Sequence, residues 1–171
     1  MKGYVHVYTG PGKGKTTAAL GLALRAAGAG FKVFIAQFVK GMQYGELDAL
    51  KRFTGQITLK QYGRDCFISG VPTEEDCRMA REGLDEVQKI VASGEYQLVI
   101  MDEANIAVYY NLFPVDGLVT IINNIPENVE LVITGRYADP TIIDKADLVT
   151  EMCEIKHYYH KGVKARRGIE F

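Results

Sequence analysis

Residues Thr9-Gly10-Pro11-Gly12-Lys13-Gly14-Lys15-Thr16-Thr17 leave this chain few folds to choose from. They follow an apolar, β-rich run, Tyr4 to Tyr8, and open into an alanine- and leucine-rich segment, Ala18 to Ala27, so the order reads strand, glycine loop, helix. That is the context a phosphate-binding loop requires. Closely spaced glycines let backbone N–H groups converge, and the helix that follows presents unpaired N–H groups and the positive end of its dipole to an anion. Gly10, Pro11, Gly12, Lys13, Gly14, Lys15, Thr16 and Thr17 are therefore candidate nucleotide contacts, with the Lys15 ammonium on the terminal phosphates and the Thr16 hydroxyl placed to ligate magnesium. The spacing departs from G-x-x-x-x-G-K-[ST]: the position of the first glycine is Thr9, and Gly10 stands one residue late. Either the loop is one residue tighter or Thr9 replaces the glycine.

The rest of the chain alternates strand and helix. Strands are expected at Lys32 to Val39, Ile57 to Tyr62, Gln97 to Asp102, Val129 to Thr134 and Leu148 to Ile155, from their β-branched and apolar runs. Helices are expected at Glu46 to Phe53, from the Thr73 cap to Gly94, at Val115 to Asn124 and at Thr141 to Lys145. Gln97 to Asp102 is a continuous apolar run ending in acid, which fits a strand buried on both faces. The alternation implies a single-domain α/β fold over residues 1–171, P-loop NTPase-like (RecA-like), with a mostly parallel sheet and helices on both faces. Ligands gather at the carboxyl ends of such strands, where the loop, Asp102, Glu103 and Arg136 converge. Thr16 with Glu103 or Asp102 would hold magnesium against a triphosphate. A helix N-terminal acid pair is the structural alternative for Asp102 and Glu103. Arg25, nine residues past Thr16 on the helix, and Arg136 are further candidates, with a surface ion pair as the alternative for Arg25 and a solvated surface position for Arg136.

Composition narrows the functions. The 171 residues are 47% hydrophobic and 24% charged, enough for an ample core, and a formal charge of −1 gives no footprint for wrapping a polyanion. No nucleic acid is expected as partner. Cys66, Cys77 and Cys153 form no C-x-x-C, which points to reduced thiols rather than a zinc site or disulfide framework. His6, His157 and His160 make no H-x-x-H or H-E-x-x-H pattern and are expected to be structural or solvated. Neither a signal peptide nor an apolar span of ~18 residues is visible, so the expectation is a cytoplasmic protein that does not engage a membrane.

Several stretches together resemble one family, the P-loop type of ATP:corrinoid adenosyltransferases. They are the loop from Thr9 to Ala19, Gln37-Phe38-Val39-Lys40-Gly41, Met101-Asp102-Glu103, Val132-Ile133-Thr134-Gly135-Arg136, Ala146 to Met152, Lys156-His157-Tyr158, Gly162-Val163-Lys164-Ala165 and Gly168-Ile169-Glu170-Phe171. The resemblance implies that a reduced cob(I) corrinoid, cob(I)alamin for instance, attacks the 5′ carbon of ATP and releases triphosphate, with the loop gripping the phosphates as a leaving group. It further implies Lys15, Thr16 and Glu103 as the catalytic set, Thr16 and Glu103 as ligands of magnesium (or manganese), Arg25 and Arg136 as triphosphate contacts, a reductase supplying electrons, and a homodimer. Cobalt provides the nucleophile, so no general base is needed.

Two departures stand out. Some members carry an N-terminal helix over the active site; this chain begins at its first strand, so that lid is expected to be missing or supplied otherwise. Members also set aromatics, a tryptophan among them, against the lower corrin face; this chain has no tryptophan, and Phe67, in the stretch Gly63 to Gly70, is the corrin-facing candidate. Two rival readings remain. A nucleoside kinase of related fold also joins a P-loop to Asp-Glu-Ala, but usually with a four-cysteine zinc knot. A non-enzymatic nucleotide switch or nucleic-acid module would have to rely on the basic tail Lys156 to Arg167, for which a solvated tail or dimer interface accounts equally well.

Overall fold

The computed structural model describes residues 2–41, 44–64 and 70–171. Six strands, β1 (Val5–Thr9), β2 (Val33–Phe38), β3 (Ile57–Tyr62), β4 (Leu98–Asp102), β5 (Glu130–Thr134) and β6 (Leu148–Glu151), form one sheet in the order β3-β2-β4-β5-β1-β6. Every ladder in it is parallel. The expected mostly parallel α/β sheet is thus wholly parallel.

Side-chain alternation sorts the core into two layers. Val33, Ile35, Leu98, Ile100 and Val132 face α1 (Lys15–Gly28), which meets them with Ala19, Ala23, Ala26 and Ala27. Phe34, Phe38, Val99, Met101, Leu131 and Ile133 face the opposite way, onto α3 (Glu74–Ser93), α5 (Val115–Asn123) and α6 (Pro140–Lys145) through Ala80, Leu84, Val87, Leu118, Ile121 and Ile142. Helices therefore cover both faces, and β2 and β4, buried along their whole length, are the continuous apolar runs that a central parallel strand demands. Each Leu, Val or Phe so buried contributes about 1.5–3 kcal/mol relative to exposure.

The elements follow the sequence expectation with few differences. α1 starts at Lys15, as expected from the sequence, because Gly14 at φ 116 turns the chain straight into the helix. β6 stops at Glu151 rather than Ile155: β1, its one partner, ends at Thr9, which pairs with Glu151, and the chain beyond crosses the loop instead, Gly12 N–H donating to Met152 O at 2.6 Å. The sequence reading also has no separate helix at α4 (Ala104–Tyr109), too short a run to show periodicity. The region expected as one helix from Glu46 is α2 (Gly45–Leu50) followed by a 3-10 turn, Lys51–Phe53. No helix among the described residues is long and apolar enough to cross a membrane. Cys77 and Cys153 are free thiols; Cys66 lies outside the described residues.

The boundaries of α3 follow from its caps. Thr73 and Asp76 form a capping box, and Gly94 closes the helix in the left-handed conformation. Asp76 also receives Arg64 Nε at 2.7 Å and Nη2 at 2.9 Å, tying the exit of β3 to the start of α3. The Arg64 hydrogen bond, reinforced by those from Thr73, overcomes burial and holds the Asp76 carboxyl down at about 2. A carboxylate depressed below its unfolded value of ~3.9 stabilises the fold fully above that value and loses the contribution as pH falls through 2. Asp76→Asn is expected to lower stability at pH 7 by about 1.5–3 kcal/mol, the range for a charge-assisted hydrogen bond. In urea denaturation the difference from the wild type should shrink steadily between pH 4 and pH 2.

Candidate functional site

The loop between β1 and α1 is the tighter of the two alternatives. Thr9 remains the last residue of β1, and Gly10 makes the turn at φ 96, a left-handed conformation that favours glycine. Lys15 then folds back over its own loop, its Nζ donating to Gly10 O and Gly12 O at 2.7 Å each. Burial weakens its hold on the proton and lowers its pKa, against the opposing pull of Glu103. With two of three donors engaged, one remains for an incoming anion.

Opposite the loop, Asp102 closes β4 with its carboxylate 1% exposed and four donors upon it. Oδ1 accepts from Thr16 Oγ1 at 2.9 Å and Thr134 Oγ1 at 2.7 Å; Oδ2 accepts from Lys40 Nζ at 2.7 Å and Gln37 Nε2 at 3.3 Å. These donors come from α1, the end of β5, the exit of β2 and β2 itself. Burial works against charge on Lys40, but the attraction and hydrogen bond of Asp102, with Glu103 and Glu46, outweigh it and raise its pKa.

Glu103, next in sequence, is different. It precedes α4 at φ 60, a left-handed conformation that costs a non-glycine residue on the order of 1–2 kcal/mol, and its N–H is held by Thr134 Oγ1 at 3.0 Å. Its side chain caps no N–H of α4, so the alternative of an acid pair capping that helix is not realised by Glu103. Among the described residues its carboxylate accepts no hydrogen bond. Burial, then the charge of Asp102, raises its pKa against the pull of Lys40, Lys15 and Arg136. Val39 (φ 60) and Tyr137 (φ 57), at the exits of β2 and β5, are left-handed too, so strain collects at the carboxyl ends of the central strands.

These groups line a cleft of about 1070 Å³, bounded by Gly12 to Thr17, Val39, Lys40, Tyr44 to Glu46, Glu103, Ile106, Tyr110, Arg136, His157 and the tail residues Ala165 and Gly168 to Phe171. That size lies just above the roughly 300–1,000 Å³ of small-molecule sites. Arg136 stands exposed at its rim. Lys13 is committed to the tail, donating to Ile169 O at 2.7 Å and to Glu170 at 3.2 Å. Arg25 is exposed in the last turn of α1, about 13 Å along the helix axis from Thr16, and is not among the lining residues. Phe67 lies outside the described residues. The sequence reading assigned no role to Lys40, Gln37, Thr134 or His157. Gln37 carried a usable signal, a polar residue inside an otherwise apolar central strand, because a fully buried amide must find partners.

No group of three or more His, Cys, Asp or Glu among the described residues could hold a metal ion by itself. What the cleft offers a hard cation is oxygen: the Thr16 hydroxyl and the Glu103 carboxylate, with Asp102 buried beneath them and bonded to Thr16. That donor set fits magnesium, which is commonly held by one or two carboxylates and completed by substrate phosphates and water.

Fold and cleft together define a P-loop α/β protein with its anion cradle facing a strand-terminal acid pair. Residues 1–171 match the family described as ATP:corrinoid adenosyltransferase BtuR/CobO/CobP, and the chain belongs to that family. It is 34% identical to the corrinoid adenosyltransferase of Pseudomonas aeruginosa, over 99% of this chain and 84% of that one. Identity to the corrinoid adenosyltransferase of Escherichia coli is 34% (99% and 86% covered), and to that of Salmonella typhimurium, CobA, 33% (99% and 86%).

Thr134 links both acids, as donor to Asp102 and acceptor for the strained Glu103. Thr134→Val keeps the volume and deletes the hydroxyl, leaving a buried N–H unpaired. Thermal or urea unfolding should show a loss of about 1–3 kcal/mol, with ATP affinity reduced in the folded variant.

Proposed function

We propose that the cleft seats ATP with its triphosphate in the Gly10–Thr17 loop as the leaving group, while a cob(I) corrinoid approaches the 5′ carbon. The cobalt electron pair forms the cobalt–carbon bond as the carbon–oxygen bond breaks, and that bond's electrons depart with triphosphate. The observation that carries this reading is that Lys15, Thr16 and Glu103 line one cleft, with Thr16 hydrogen-bonded to the buried Asp102. Membership of an ATP:corrinoid adenosyltransferase family supplies the reaction class.

In this reading Lys15 and the loop N–H groups offset the charge that develops on the leaving oxygen. Arg136 adds a further cation from the rim. Thr16 and Glu103 would hold a magnesium or manganese ion, which when bound supplies charge neutralisation to the phosphates. Asp102, saturated by four donors, orients Thr16 and acts one shell out. Arg25 would need a substrate or a second chain to bring it into play.

We further assign residues 1–171 to one catalytic domain, acting in the cytoplasm with a separate reductase that prepares the corrinoid. A homodimer is the assembly we assign. It draws support from β6, an edge strand with Leu148 and Val149 each 42% exposed, and sedimentation velocity tests it.

The leaving group tests the reaction. ATP consumption should depend on reduced corrinoid and yield inorganic triphosphate one-to-one with the light-sensitive adenosylated product. Stoichiometric ADP in ³¹P NMR, with or without corrinoid, would place the protein among kinases or switches instead. The two acids should also separate. Glu103→Gln should raise the magnesium needed for half-maximal rate with little effect on stability, whereas Asp102→Asn should lower stability as well, since it leaves Lys40 without its counter-charge. An unchanged magnesium requirement in Glu103→Gln would remove Glu103 from the ligand set.

A further inference from the structure

Lys40 reaches the centre of the cleft from a backbone held tightly in place. A side chain at Gly41 would meet Gly63 O at 2.3 Å, and one at Gly63 would meet Lys40 N at 2.6 Å, so the exits of β2 and β3 pack backbone against backbone. The left-handed Val39 turns the chain just before it. From there the ammonium lies 2.7 Å from Asp102 Oδ2, 3.3 Å from Thr16 Oγ1 and 5.4 Å from the centre of the Tyr44 ring, on a side chain 14% exposed. It stands against the Thr16 hydroxyl and within reach of the Glu103 charge, the two groups at which a divalent cation is expected to settle. Two cations cannot share that position.

We propose that Lys40 is the resident cation of this corner of the cleft, balancing Asp102 until ATP and metal arrive together, and then crossing to the triphosphate. This rests on the metal reading above. The flexible four-carbon stem permits the move, and the loop lies on the wall of the same cleft. While Lys40 holds its place, the acids have no vacancy for metal alone. Once the phosphates attract the ammonium, the vacancy opens and the same phosphates complete the metal's coordination. Metal and nucleotide are then coupled, each tightening the other by the same factor.

The test measures Mn²⁺ by the electron paramagnetic resonance of the free ion, and ATP by calorimetry in EDTA, on wild type, Lys40→Met and Lys40→Arg. Circular dichroism melting confirms folding, and Lys40→Gln substitutes should Lys40→Met not fold. The wild type should take up Mn²⁺ appreciably only with ATP. The neutral variant should bind Mn²⁺ alone about tenfold more tightly and metal-free ATP about tenfold more weakly, with a smaller coupling between them. Lys40→Arg should keep Mn²⁺ excluded. A lysine that merely supported the fold would weaken both ligands when removed. A folded neutral variant with wild-type Mn²⁺ and ATP affinities overturns the role of Lys40 while leaving the metal reading standing. Failure of every variant and the wild type to bind Mn²⁺ even with ATP overturns the metal reading, and the role of Lys40 with it.

Discussion

One carboxylate organises the working edge of this sheet. Asp102 is a buried charge, and a buried charge without partners costs several kcal/mol, so its four donors are a requirement of folding before they are a feature of function. Each donor arrives from a different place: Thr16 from the first turn of α1, Gln37 from β2, Lys40 from the chain after β2, and Thr134 from the end of β5. Satisfying Asp102 therefore fixes the helix that carries the phosphate loop against the central strands. Gln37 extends the net outward, donating also to Glu46 at 3.3 Å and accepting from Gln61 at 3.1 Å.

The same edge carries backbone strain. Val39, Glu103 and Tyr137 are all left-handed, and each follows a central strand by no more than three residues. A parallel sheet sends its strands out in one direction, and turning them quickly enough to leave a cleft demands conformations that non-glycine residues avoid. The compensation is visible at two of the three. Glu103 has its N–H bound by Thr134, and Tyr137 stacks on Tyr109 with ring centres 4.2 Å apart. Packing in the two apolar layers beneath holds these turns in place, and the side chains flanking them, Lys40, Glu103 and Arg136, all reach the cleft.

The alternation of strand and helix was legible in the sequence because apolar runs and caps are local signals. α3 is the clearest case: Thr73 at one end and Gly94 at the other mark its limits within the sequence itself. Ile57–Tyr62 likewise falls where its β-branched pattern puts it. Less legible was whatever depends on a partner. The end of β6 is set by where β1 stops, and the commitment of Lys13 by where the tail comes to rest. Lys40 and Thr134 stand in stretches that resemble the family, yet their roles emerge only when β2, β4 and β5 are placed side by side. Arg25 shows the converse, since spacing along α1 identifies the residue but cannot say which way an exposed side chain at the helix end will be engaged.

The satisfied state of Asp102 also bears on the kind of chemistry the cleft can support. Phosphoryl transfer to water or a sugar hydroxyl calls for a group that accepts a proton, and Asp102 lies beside the proposed metal ligand. Each Asp102 oxygen already accepts two hydrogen bonds, so neither is free to receive a substrate hydroxyl or water. Displacement at carbon by a cobalt nucleophile makes no such demand, because the nucleophile carries its electron pair unprotonated and the departing triphosphate needs only positive charge. Lys15, Lys40 and Arg136 surround the Glu103 carboxylate closely enough for all three to favour its charge. The cleft therefore gathers cations around the Glu103 carboxylate, with Asp102 fully engaged beneath it, an arrangement matched to a charged leaving group.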